Sequence, residues 1–399
     1  MKSTPSIYLD NHATTRVDPR VVETMLPIFD LDYANAGSVT HAMGHRCSDL
    51  VESARNTIAS YLGAANSSEI VFTSGATESN NLALRGFCQR IGSGHIISVQ
   101  TEHQSVLATL AKLENAGFSI TRLPVRQYGT VNSGIIEIDQ LVDALRPDTI
   151  LISVMLANNE IGAIHPVAQI REALNGRGIA IHCDATQAVG KMKVDVDKLG
   201  VDLLSMTAHK IHGPKGIGAL YIRSQGRRVR LSSQIDGGSQ EKGLRGGTQN
   251  VPGIVGFAAA VELCRELMTV ESQRITALRN RLFTKLSGKI GPILLNGPVL
   301  DDGSLRLAHN LNCQFPGLDG HSLMVGTSQL ALSSGSACTA TSTEPSHVLT
   351  ALGLDRDQVR SSLRFGLSRF TTEQEIDLAV DLLAESAVRL RKLGRSSIA

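Results

Sequence analysis

Two short segments carry residue types that can act together: His182-Cys183-Asp184-Ala185-Thr186-Gln187 and Thr207-Ala208-His209-Lys210, each following an apolar run of strand composition. Ligands of open α/β sheets sit outside the carboxyl ends of the strands, so an aspartate and a lysine at two successive strand ends face one crevice. That pair suits pyridoxal phosphate. The lysine forms a Schiff base, and the aspartate keeps the pyridine nitrogen protonated so that the ring draws electrons from a bound amino acid. For the two residues taken alone, a structural ion pair is the plain alternative. A third segment, Thr73-Ser74-Gly75-Ala76-Thr77-Glu78-Ser79-Asn80, follows another apolar run and opens a helical pattern. Free N–H groups, hydroxyls and the positive end of the helix dipole suit a phosphate there, although ordinary capping explains the same residues. Gly213-Pro214-Lys215-Gly216-Ile217-Gly218 looks like a nucleotide loop but lacks the Lys-Ser/Thr pair and leads into a strand, so no nucleotide site is expected.

These segments need a scaffold that brings strand ends together. From about residue 43 to residue 222, amphipathic helical stretches alternate with short apolar runs, the pattern of an α/β unit with a mostly parallel sheet. Seven strands are expected at 69–72, 95–99, 119–123, 149–155, 179–182, 202–206 and 218–221, with helices at 76–89, 105–116 and 167–174. Residues 225–250 read as a long loop. A long helix over 255–286 follows Pro252, and a smaller α+β unit ends in an amphipathic helix from 372 to about 390. We expect a large unit over 14–260 and a small one over 261–399 that includes residues 1–13.

The composition limits the function classes. With 399 residues, 42% hydrophobic and 19% charged, the chain can bury a large core. Lys plus Arg at 39 against Asp plus Glu at 37 leaves a net charge of +2, too little to recruit nucleic acid or an anionic membrane. The N-terminus reaches Asp10 before any signal-like apolar stretch, and nothing approaches the ~20 apolar residues of a membrane span, so a soluble cytoplasmic protein is expected. Six cysteines without a C-x-x-C pair are too sparse for a disulfide scaffold or a zinc site. His209 and His212, with Asp184, could be drawn as metal ligands, but that drawing leaves Lys210 and the phosphate cradle unexplained, and no metal is expected. His12, His41 and His45 read as structural or as supports for the site residues.

The ordered set of motifs resembles the pyridoxal-phosphate-dependent cysteine desulfurases of the NifS/IscS type, within the class V aminotransferase superfamily. It comprises Tyr8-Leu9-Asp10-Asn11-His12-Ala13-Thr14-Thr15, Gly75-Ala76-Thr77-Glu78, Thr101-Glu102-His103, Asn158-Asn159-Glu160-Ile161-Gly162, the Asp184 and Lys210 segments and Arg245-Gly246-Gly247-Thr248. Ser333-Ser334-Gly335-Ser336-Ala337-Cys338 and Arg364-Phe365 complete it. The resemblance covers nearly the whole chain and implies the fold type I of pyridoxal phosphate enzymes, with a mostly parallel seven-stranded sheet in the large domain.

The resemblance also implies roles. Lys210 corresponds to the Schiff-base lysine and proton carrier, an amine whose pKa must come down to about 7–8 for that task. Asp184 corresponds to the pyridine-nitrogen partner, Gln187 and Asn159 to hydrogen-bonding partners of the ring hydroxyl, and His103 to the imidazole stacked on the ring. Ala76, Thr77, Thr207 and His209 fall at the phosphate, with Thr248 donated by the second subunit of a homodimer. Arg364, together with Asn159, corresponds to the substrate site, where the guanidinium clamps the carboxylate of L-cysteine. Cys338 corresponds to the mobile-loop nucleophile that takes the sulfur as a persulfide, leaving L-alanine. The persulfide acceptor is then a protein such as an iron–sulfur scaffold or a sulfur carrier for tRNA or cofactor thiolation. A selenocysteine lyase or aminotransferase on the same fold, and a non-catalytic sulfur-trafficking scaffold, are the alternatives.

Overall fold

In a computed structural model that describes residues 6–300, 303–334 and 345–396, the strands of the main sheet alternate their apolar side chains between two cores. Ile70, Phe72, Ile97, Val99, Ile152, Ile181, Cys183, Leu204 and Met206 join one core. Val71, Ile96, Leu151, Ala180 and Leu203 join the other. Successive strand residues point to opposite faces, so a strand buried on both must be apolar throughout. Asp184 falls by this alternation on the second face, which the helices Ala76–Ile91 and Gln104–Asn115 cover.

The sheet has seven strands in the order Ile70–Thr73, Gly218–Ile222, Leu203–Thr207, Ala180–Asp184, Thr149–Ser153, His95–Val99, Ser119–Leu123. All neighbours are parallel except Gly218–Ile222, which runs antiparallel to both of its partners. Its amino end therefore lies beside the carboxyl ends of Ile70–Thr73 and Leu203–Thr207, with Gly218 in register with Thr73 and Thr207. The strand expected at 179–182 runs to Asp184, because Leu156 N donates to Asp184 O and Ala185 N to Ser205 O, keeping its backbone paired to the end. The strand expected at 149–155 stops at Ser153.

The stretch expected as a loop holds one short turn, Gln240–Gly243, in which Glu241 and Lys242 have φ of 48° and 58°. Buried Glu241 pins this turn by accepting from the Arg55 guanidinium, Phe72 N and Gln249 Nε2.

The long helix runs Val251–Ile290, longer than expected at both ends. Pro252 fits its first turn, where no N–H is needed, and the Asn250 side chain accepts from Gly253 N. Its first half, through Cys264, packs into the first sheet core. From Ile275 onward it enters a third core with Ile7, Leu9, Leu311, Phe365 and Leu383. That core backs a small antiparallel sheet, Ser333–Ser334, Ser362–Gly366, Asn310–Gln314, Leu294–Leu295, and the helix Glu373–Ser396. Ile7–Tyr8 pairs with Leu330–Ala331 beside it. Leu307, Val348, Leu352 and Val359 return to the first core. We propose two folding units joined on one unbroken helix, with the cores changing over between Cys264 and Ile275, a little after the expected boundary at 260/261. Among the described residues no helix is long and apolar enough to cross a membrane.

Candidate active site

Five elements end at one cavity of about 530 Å³, within the ~300–1,000 Å³ usual for small-molecule sites. Ala76, Thr77, His103, Asn159, Asp184, Gln187, Thr207, His209 and Lys210 all line it. Lys215 lines it too, brought there by the antiparallel strand that begins at Gly218.

Asp184 is the last residue of its strand and is buried. One carboxylate oxygen accepts from Thr186 N at 3.0 Å, the other from Asn80 Nδ2 at 2.8 Å. Asn80 also donates to Ser105 Oγ at 2.9 Å, and Ser105 Oγ lies 2.8 Å from His103 Nδ1. Because His103 Nδ1 also accepts from Ser105 N, the neutral ring carries its proton on Nε2. Burial lowers the His103 pKa, Asp184 opposes that shift, and Lys210 adds to it. The ring is therefore held neutral and oriented by the cap it makes on the helix Gln104–Asn115.

Lys210 closes the short turn after Leu203–Thr207 and donates to the carbonyls of His12 at 2.5 Å and Ala13 at 2.7 Å. The N-terminal segment is thereby part of the cavity wall. His12 is buried there, its Nδ1 3.0 Å from Gln187 Oε1. Gln187 Oε1 also accepts from Lys191 Nζ at 2.6 Å, while Gln187 Nε2 donates to His12 O at 3.0 Å. His209 sits with Nδ1 3.1 Å from Thr14 Oγ1, its pKa lowered to about 4 by burial and by Lys210. The neighbouring His212 turns away to Arg16 O, so the two histidines do not converge on one point.

At the opposite end the helix Ala76–Ile91 starts with N–H groups that have no intrahelical partner. Thr77 is exposed to the cavity, whereas Thr207 Oγ1 spends its single proton on Ile217 O at 3.0 Å. Glu78 would oppose an anion here, but it accepts from Ser74 N at 2.7 Å and pairs with Arg245 Nε at 3.0 Å. A pyridoxal phosphate suits this donor set: an anion cradle at the helix N-terminus, a carboxylate at the far end, an amine between. Thr186, also on the wall, has a buried hydroxyl with no partner among the described residues.

Two expected site residues lie elsewhere. Thr248 is exposed and does not line this cavity. Arg364 is buried behind the wall, donating to the Asn159 carbonyl at 3.2 Å and to Asp10 Oδ1 at 2.8 Å. Cys338 falls outside the described residues. The five described cysteines are unpaired and buried. Burial pushes the thiols of Cys88 and Cys313 up to about 12, that of Cys264 to about 11, and that of Cys183 well above its ordinary value.

Sequence reasoning passed over Asp10, Asn80, Ser105 and Lys191; His12, expected to be structural or to support a site residue, does the latter by holding Gln187. Asp10 and His12 lie within a motif that was noticed. Asn80 and Ser105 face inward from helices by tertiary placement, and Lys191 stands one turn after Gln187.

The profile of the class-V aminotransferases matches residues 7–379. The chain is 47% identical over 390 residues to "Cysteine desulfurase IscS" of Anaeromyxobacter dehalogenans, covering 97% of this chain and 94% of that one. Among solved structures it resembles a "NifS-like protein" at a TM-score of 0.87 and 36% identity, over 95% of this chain and 98% of the other. It also resembles "SspA in complex with cysteine", at a TM-score of 0.77 and 36% identity over 92% and 100% of the two chains.

Proposed function

The chain belongs to the class-V aminotransferase family, in its IscS-like cysteine desulfurase branch, and from this premise we propose that it removes the sulfur of L-cysteine with pyridoxal phosphate, leaving L-alanine. The observation that carries the reading is the convergence of Lys210, Asp184 and the N-terminus of helix Ala76–Ile91 on one cavity.

When bound, pyridoxal phosphate supplies an electron sink that makes the α-hydrogen of an attached amino acid acidic. Asp184, fixed by Asn80 and the Thr186 N–H, offers its carboxylate to a pyridinium nitrogen. Lys210 is the amine of covalent attachment and then the carrier of the α-proton. His103 presents its Nε2 proton from a ring locked at Nδ1, and Gln187 offers an amide N–H to an anionic ring oxygen. The first N–H groups of helix Ala76–Ile91, Thr77 and His209 hold the phosphate, as does Thr207 once its hydroxyl turns from Ile217 O, with Thr248 contributed across a homodimer. Arg364 binds the substrate carboxylate. Cys338 attacks the substrate sulfur and carries it as a persulfide to an acceptor protein, an iron–sulfur scaffold or a sulfur carrier. The other five cysteines are supported as bystanders by their burial. Their unpaired state goes with a reducing, cytoplasmic compartment.

Borohydride reduction of the holoenzyme followed by peptide mapping should label Lys210, and Lys210→Ala should abolish attachment and lower kcat by roughly 10²–10⁴-fold. Label on Lys215 would remove the assignment. After exposure to L-cysteine and alkylation, mass spectrometry should find the persulfide on Cys338 and none in Cys338→Ser. Undiminished alanine production by that variant would overturn the nucleophile.

A further inference from the structure

Arg364 is a buried guanidinium that already holds a carboxylate. Its side chain is 4% exposed, and the pair with Asp10 runs through one oxygen, Nη2 to Oδ1 at 2.8 Å. The same Asp10 oxygen accepts from Ser333 Oγ at 2.7 Å, and Arg364 Nη2 also donates to Ser333 Oγ at 2.9 Å. Nη1 is spent on the carbonyl of Asn159, a residue of the cavity wall. Nε is buried and has no partner among the described residues. The guanidinium is thus satisfied by a single-point contact, with a second parallel donor unused.

We propose that Asp10 is a resident stand-in for the substrate: its carboxylate keeps Arg364 paired in the resting protein and is displaced when the α-carboxylate of the amino acid arrives. The proposal rests on Arg364 being the substrate clamp. A free α-carboxylate that engages Nε and Nη2 together makes the two-point contact that Asp10 does not make, and bidentate pairing is the stronger form. Stripping a buried arginine of the one anion that pairs with it among the described residues is strongly destabilising, whereas exchanging one carboxylate for another never leaves the charge bare. Asp10 is the partner able to leave, since its side chain is 18% exposed against 4% for Arg364. Once released it regains water. The arrangement makes substrate binding a competition, so the apparent affinity is the intrinsic affinity discounted by the hold of Asp10.

In the holoenzyme, Asp10→Asn should lower KM for L-cysteine roughly fivefold, with kcat little changed, because the competing charge is gone. Without ligand the variant should also melt below wild type, and saturating L-alanine should close that gap. A purely structural Asp10 predicts a lower melting point with and without L-alanine and a KM that is unchanged or raised. That result overturns the proposal. Should Asp10→Asn fail to fold, Ser333→Ala loosens the same carboxylate and should lower KM in the same direction; a KM left equal or raised counts equally against it. Arg364→Met separates the two layers of the argument. If it leaves KM unaltered, the clamp reading itself falls. If it raises KM while Asp10→Asn does not lower it, the stand-in alone falls. In the Arg364→Met background Asp10→Asn should have no effect on KM.

Discussion

Lys191 is a buried amine whose pKa is lowered to about 7, by burial first and then by the charge of Lys210. The Gln187 amide oxygen only accepts, so donation from Lys191 Nζ at 2.6 Å holds that oxygen on the Lys191 side and leaves the Gln187 NH2 toward His12 O and the cavity. Orientation of an amide is otherwise a soft choice between two nearly isosteric states. Lys191→Met keeps the volume, removes a costly buried charge and frees the amide to turn. We expect a melting point equal to or above wild type, together with a roughly tenfold weaker association of the apoprotein with pyridoxal phosphate, the worth of about one hydrogen bond. Absorbance titration of the apoprotein measures this. Unchanged affinity would mean that Gln187 needs no such anchor.

At the level of elements, the phosphate end depends on how closely a strand and a turn approach. A Cβ built on Gly218 would lie 2.7 Å from Gly75 Cα and 2.7 Å from Met206 O, both backbone atoms that cannot swing aside. Gly218 opens the antiparallel strand, and Gly75 precedes the helix whose N-terminus faces the cavity. Gly218→Ala therefore has to push the Gly75 turn outward. We expect a loss of ~1–3 kcal/mol in stability, the usual cost of overpacking, and weaker phosphate-end binding. Urea unfolding gives the first quantity, and competition by inorganic phosphate for the cofactor gives the second. If stability drops while cofactor binding is untouched, the turn does not carry the phosphate.

For the molecule as a whole, the sheet buries imidazoles that stay neutral. His182 lies between Ser153 Oγ and Ser205 Oγ inside the sheet, and His165 accepts from Ile136 N. Burial lowers both pKa values to about 4. In the unfolded chain they titrate near 6.5. Between those values the unfolded state binds more protons, so stability falls as pH drops from about 6.5 toward 4 and is insensitive to these groups above that window. The upper limit is roughly 3 kcal/mol for each ring. Melting points from pH 7.5 to 4.5 should decline below pH 6.5, and His182→Gln should flatten the decline. A flat wild-type profile over that range would mean that the rings are charged in the folded state. Below about pH 4 the depressed carboxyl of Asp18, held down by Arg20 and Arg369, adds a separate loss.

Local chemistry made much of this protein legible in its sequence. Apolar runs bounded by Gly, Pro, Asn or Asp located all seven strands of the sheet. The residues flanking them, Thr73 to Asn80, Asp184 to Gln187 and Thr207 to Lys210, bear their chemistry within a few positions of a strand end, where the rule for open α/β sheets places ligands. What no local rule supplies is which distant side chain meets which. Asp10 meets Arg364 across 354 positions, His12 meets Gln187 across 175, and Asn80 meets Asp184 across 104. Those meetings follow from the order of strands, from the antiparallel insertion of Gly218–Ile222 and from a long helix shared by two cores. Each is a product of packing the whole chain at once. The sequence alone therefore singled out the candidate reacting groups, and the tertiary structure decided the partners of those it describes, because a buried charge or amide is settled by whatever the fold brings within about 3 Å of it.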